Sequence, residues 1–160
     1  MKRLSKHTVL FLCISIIVFG SLLACLLFLA QPIRVVGESM LPSYQHNDLV
    51  FANTLSDAYS TNDVVILRYG KEKIIKRIYA VQGDVVELRA DGVYINQIFI
   101  TCNSNKYEKV KYLLGESEYF VLGDNYEQSI DSRYFGVINE DEILGKVIYE
   151  WSNGRYLVST

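Results

Sequence analysis

From residue 8 to residue 30 the chain reads TVLFLCISIIVFGSLLACLLFLA, without one charged side chain. At ~1.5 Å of rise per residue, a helix over that stretch is long enough to cross a hydrocarbon core of ~30 Å. Past Gln31-Pro32 the pattern breaks into short runs rich in Val, Ile, Tyr and Phe. These are DLVFAN (48–53), DVVILRY (63–69), KIIKRIYAV (73–81), DVVELRA (84–90), GVYINQIFI (92–100), SEYFVLG (117–123) and ILGKVIYEW (143–151). Turn formers separate them, among them Asn47-Asp48, Tyr69-Gly70, Gly83-Asp84, Asp91-Gly92 and Gly123-Asp124-Asn125. The pattern predicts one apolar helix followed by a mostly β, antiparallel domain. Tyr126 to Arg133 follows neither period and reads as a loop, and the polar, lysine-rich stretch from Asn103 to Leu114 reads as an exposed excursion.

Charge gives this layout a direction. Lys2, Arg3, Lys6 and His7 precede the apolar run and no acidic residue does. The positive-inside rule then keeps 1–7 in the cytoplasm, makes 8–30 a transmembrane anchor and places 31–160 outside, as a single-pass protein. A cleaved signal peptide would carry a shorter apolar core and a small residue where Phe28 stands, so a retained anchor is the expectation. Three of the 16 Lys+Arg lie in the first thirty residues, which leaves 13 against 18 Asp+Glu beyond the anchor, a net of −5. An acidic outer domain excludes nucleic acid as a partner class. Cys102 is the only cysteine outside the apolar run, so no internal disulfide is expected there, and no Cys/His group has metal spacing. Neither metal nor cofactor is expected; the lipid bilayer is.

The stretch VVGESMLPS (35–43) places Ser39 just beyond the anchor. A serine nucleophile needs a base. His7 lies on the wrong side of the anchor, and His46, just before the Asn47-Asp48 turn, reads as an exposed turn residue. A lysine serves only where burial lowers its pKa from ~10.4 to around ~7–8, at ~1.4 kcal/mol per unit. Lys71, Lys106, Lys109 and Lys111 sit in polar neighbourhoods. On a strand of period 2, Lys76 shares one side with Ile74, Ile78 and Ala80. A lysine on an apolar face is also able to snorkel to solvent, and the residues alone leave both readings open. A third stretch, GDNYEQSIDSRYFG (123–136), is dense in polar side chains. Asp131 and Arg133 are spaced to brace it as an ion pair, and Ser129 to donate a hydroxyl contact to a neutral amine; an ordinary polar turn has the same composition.

GESMLPS, IIKRIYAVQGD and GDNYEQSIDSRYFG, in that order behind an N-terminal anchor, resemble the serine, lysine and final boxes of type I signal peptidases, and GVYINQ is similar to the family's short hairpin between the last two. The resemblance covers nearly the whole chain. It implies a membrane-bound Ser/Lys endopeptidase that removes signal peptides from exported preproteins having small residues at −1 and −3. It implies Ser39 as nucleophile, Lys76 as general base, Ser129 as the residue that orients the lysine, and Asp131 with Arg133 as the brace. Met40 and Ile75 are implied as pocket walls. Gly37 stands where some relatives carry a serine that completes the oxyanion hole; with the short span between Lys76 and Gly123, which leaves only a small accessory region over about 87–117, this resembles Gram-positive members. Ser43 stands where Thr is common, Tyr126 where Arg is common, and Tyr44 where Leu is common, which bears on a substrate pocket. Two other readings share the boxes: a paralogue dedicated to pilins or a non-proteolytic pilus-assembly factor, and a soluble self-cleaving repressor-type protease, which the anchor disfavours.

Overall fold

The computed structural model describes residues 5–56, 58–101, 109–152 and 155–158. Lys2, Arg3, Lys106 and Cys102, on which parts of the sequence reading rest, lie outside the described residues. The apolar run forms α1 (Lys6–Leu29). Its side chains are exposed from Lys6 to Ala24, so the apolar surface finds no cover in the protein itself. Among the described residues this is the one helix long and apolar enough to cross a membrane.

The chain passes directly from α1 into β1 (Ala30–Arg34), a strand the sequence pattern did not announce, and then β2 (Leu49–Asn53), β3 (Val64–Tyr69), β4 (Glu72–Ala80), β5 (Val85–Arg89), β6 (Gly92–Ile95), β7 (Ile98–Thr101), β8 (Val110–Leu113), β9 (Glu118–Leu122), β10 (Ile138–Asn139), β11 (Ile143–Ser152) and β12 (Arg155–Val158). A short helix, α2 (Ser132–Phe135), lies between β9 and β10. The large sheet has the order β1-β2-β11-β3-β4-β9-β10, with β12 on β11; the small one has the order β7-β6-β5-β8. Every pairing is antiparallel, so the expected mostly β, antiparallel fold class is the observed one.

Two elements differ from the pattern. The run at 92–100, one run in the residue pattern, is a hairpin as the resemblance implied: Asn96 and Gln97 take φ of 50° and 70°, and this left-handed pair turns β6 back onto β7. Within the lysine-rich excursion, residues 110–113 form β8, which closes the small sheet on β5. Its alternation of Val and Tyr with Lys and Leu was masked by the polar composition around it.

The register explains where a cleft opens. β4 pairs with β3 along its length, from Tyr69↔Glu72 to Val64↔Arg77. Its other neighbour, β9, begins only at Arg77↔Leu122. Residues 72–76 therefore keep one backbone edge unpaired. β1 pairs only with β2 and also keeps a free edge. The space between the end of β1 and the start of β4 is a cleft of about 170 Å³, with Ile33, Val35, Val36, Ile66, Ile74 and Ile75 among its walls and Ser39 and Lys76 at its end. Beneath it Val35, Met40, Tyr44, Val50, Val64, Ile66 and Ile75 pack in one apolar cluster.

Candidate functional site

Lys76 lies mid-way along β4, where alternation turns it inward with Ile78 and Ala80. It is 3 % exposed. Its Nζ lies 2.8 Å from Ser39 Oγ. Burial pushes the Lys76 amine down from 10.5 to about 8; Asp131 pulls it back up, Arg133 pushes it further down, and Asp124 pulls it up. The order of these effects follows from position: an ammonium loses its water shell in this apolar setting, and the nearby charges partly cancel one another. At 2.8 Å, the ammonium donates to the serine oxygen when protonated, and the neutral amine accepts the serine hydroxyl when not.

Ser39 sits in a turn after β1. The turn is closed by Val35 N–H to Asp48 O at 2.8 Å and Asn47 N–H to Val35 O at 2.9 Å. Asp48, 6 % exposed, fixes the far end through its carboxylate, which accepts Gln45 N–H at 2.6 Å. Gly37 has φ of +94°, a conformation that disfavours any side chain. Its N–H donates to His46 Nδ1 at 3.1 Å. His46 is exposed, as the turn reading expected, but it is not idle. Asn125 holds the turn from the other side: its backbone N–H donates to Ser39 O at 2.9 Å, and its side chain to Glu38 O at 3.1 Å. With Glu38 O facing Asn125, the Ser39 N–H of the same planar peptide points the opposite way. Among the described residues it donates no hydrogen bond.

The loop after β9 supplies the brace. Asp131 and Arg133 are fully buried and pair through two parallel bonds of 2.8 Å. Asp131 also accepts Gly123 N–H at 3.0 Å and caps α2 through Arg133 N–H. Arg133 further donates to Tyr126 O at 2.7 Å, and Ser132 Oγ accepts Val121 N–H at 2.9 Å. Breaking a buried pair of this kind costs ~3–5 kcal/mol, because the surviving charge stays desolvated. The expected ion pair is therefore present, and it holds Gly123 as well as its own loop.

Gly123 is where the loop and the serine turn meet. A Cβ there would collide with Ser39 O and Ser129 Oγ. Ser129 is buried, and its hydroxyl makes no hydrogen bond among the described residues. It stands beside the Ser39 backbone rather than bonded to Lys76. Ile75 lines the cleft as expected of a wall residue. Met40 and Tyr44 do not; both are buried in the cluster under it.

Sequence reasoning did not find the second ion pair. Arg77, the residue after Lys76, grips Asp124 through two bonds of 2.8 and 2.7 Å. It also donates to Asn62 O at 3.0 Å and reaches Ser43 Oγ at 3.4 Å. Arg77 thereby ties β4 to the loop after β9 and to the serine turn. Its partner lies 47 positions away, so no local spacing signalled it. Among the described residues no cluster of His, Cys, Asp and Glu is arranged to hold a metal ion.

The family model for signal peptidase, peptidase S26, matches residues 5–152. Signal peptidase IB of Staphylococcus aureus is 31 % identical over 151 residues, covering 78 % of each chain. Signal peptidase I P of Bacillus subtilis subsp. natto is 33 % identical over 165 residues, covering 87 % of this chain and 88 % of its own. A solved signal peptidase I from Enterococcus faecalis is 27 % identical with a TM-score of 0.43, covering 56 % of this chain and 97 % of that one.

Proposed function

The chain belongs to the signal peptidase family, peptidase S26, and is a peptidase that removes signal peptides; from that premise we propose that Ser39 is its nucleophile and Lys76 its general base. One observation carries the reading: a lysine amine, buried and lowered to about 8, lies 2.8 Å from the hydroxyl of Ser39, the one serine among the described residues that lines the cleft. The anchor is proposed to be α1, with the N-terminus in the cytoplasm and 31–160 on the outer face of the cell membrane, where the substrate's own apolar segment is held. The region from β5 to β8 is the small accessory unit.

A signal peptide enters in extended form between the free edges of β1 and β4, pairing through its backbone. The limited apolar volume next to Ser39 admits small side chains at −1 and −3. Neutral Lys76 takes the Ser39 proton as Oγ bonds to the scissile carbonyl carbon. The carbonyl oxygen gains charge and is met by the Ser39 N–H, whose direction Asn125 sets. The C–N bond then breaks, and the Lys76 ammonium gives its proton to the leaving amine. Water, deprotonated by Lys76, hydrolyses the acyl-enzyme and restores Ser39. The Ser129 hydroxyl, which makes no hydrogen bond among the described residues, is proposed to support the lysine during these transfers.

The purified full chain is expected to cut a preprotein with Ala at −1 and −3 and to slow by on the order of 10²-fold when −1 is Tyr, because the proposed subsite beside Ser39 takes small side chains. Equal rates for the two substrates would remove the small-residue pocket from the account. Gly123→Ala is expected to lower kcat/KM by about 10²-fold, since the new methyl displaces Ser39 from near-attack geometry. Measured kcat/KM unchanged in a folded Gly123→Ala protein would show that this close approach does not set the serine's position.

A further inference from the structure

We propose that His46 is a positioning residue for the nucleophile turn, acting through Gly37. The proposal rests on the Ser39/Lys76 reading above. Backbone pairing across the base of the turn ends at Val35, which bonds to Asp48 and Asn47. The next rung, Gly37 N–H to His46 Nδ1, is made by a side chain. Gly37 needs this more than another residue would. It adopts φ of +94° with nothing within 4 Å of the place a Cβ would occupy, so neither sterics nor packing fixes its conformation.

Two anchors therefore hold the peptide that carries the nucleophile. Asn125 holds it through the carbonyls of Glu38 and Ser39. His46 holds the preceding residue from the opposite strand of the loop. Because the Gly37 N–H is engaged by His46, it does not serve the oxyanion. That leaves the Ser39 N–H as the backbone donor and makes its direction more consequential. This answers how a glycine takes the position without a hydroxyl of its own: His46 supplies order to the backbone.

An acceptor at Nδ1 requires the proton on Nε2, a tautomer assigned from the hydrogen bond.

The test is steady-state cleavage of a preprotein by the full chain in detergent, with kcat and KM measured from pH 5 to 9. His46→Ala is expected to lower kcat about tenfold at pH 9 with KM within about twofold. The loss is smaller than the ~10²–10³ of removing an oxyanion donor, because Asn125 still holds the turn. His46→Asn places an acceptor oxygen where Nδ1 stands and is expected to bring kcat back to within about threefold of the natural chain. Full kcat in His46→Ala, or no recovery of kcat in His46→Asn, overturns the proposal. Failure of the underlying reading looks different: Ser39→Ala still cuts, and the natural chain shows no lysine limb, whatever His46 does.

Discussion

Ser39→Ala is expected to reduce preprotein cleavage by on the order of 10⁴-fold or more, as does Lys76→Met, and the double variant to be no worse than either alone. In the proposed mechanism nucleophile and base act as a unit. Without Oγ the lysine has nothing to deprotonate at the carbonyl; without Nζ the serine stays a hydroxyl. The 2.8 Å contact between them makes the pairing direct. Residual rate would come from binding and the oxyanion donor. Single-turnover cleavage with excess enzyme checks it, since substrate binding is then not limiting. Additive losses in the double variant would mean that the two residues work separately. Folding is the necessary control, and it has its own expected sign. Lys76→Met removes a buried amine and fills its place with an apolar chain of similar length. It should raise the midpoint of thermal unfolding at pH 7 while removing activity.

The second large effect is with pH. In the proposed mechanism Lys76 acts only when neutral, and burial lowers its amine from 10.5 to about 8. kcat/KM is therefore expected to fall tenfold per unit below about pH 8 and to level off above it, so that pH 6 lies about 10²-fold below the plateau. Stability should follow the same group with a worked sign. The folded pKa of about 8 lies below the ordinary 10.5. Between those values the unfolded chain binds more protons than the folded one, so stability rises with pH across that window. Below about 8 both states are protonated, and the full cost of a buried ammonium, about 3 kcal/mol from the size of the shift, is present. A pH–rate profile flat from 6 to 9 would contradict the lysine base. A Lys76→Met protein whose stability still rose from pH 8 to 10.5 as steeply as the natural chain's would place the titration elsewhere.

How far the sequence went depends on whether a feature is local. The apolar helix was legible because residues 8–30 carry no charged side chain, and as α1 the run is exposed from Lys6 to Ala24. Lys76 was legible as a candidate because period 2 places it with Ile78 and Ala80, and both are indeed buried. The Asp131–Arg133 brace was legible because its partners are two positions apart. The features that give the turn its shape were not, because they cross the fold. Arg77 meets Asp124, Asn125 meets Glu38, and His46 meets Gly37. His46 was set aside for the right reason, since a turn cannot fix it as a base, yet it holds a backbone N–H instead. Met40 and Tyr44 were expected at a substrate pocket from the family resemblance, and both follow the serine closely in sequence. In the fold that adjacency turns them down into the cluster under the cleft, and the wall comes from β1 and β4. β1 itself was hidden because it follows the apolar run directly and carries Gln31, Pro32 and Arg34, with a proline that argues against a strand.

The most direct measurement of the central claim is the titration of Lys76 itself. With lysines labelled at Cε by carbon-13, the Lys76 resonance is assigned by its absence in Lys76→Met and followed from pH 6 to 11. The account predicts a midpoint near 8, coincident with the acid limb of kcat/KM and well below the other lysines. A Lys76 that titrates with the others above pH 10 would contradict it.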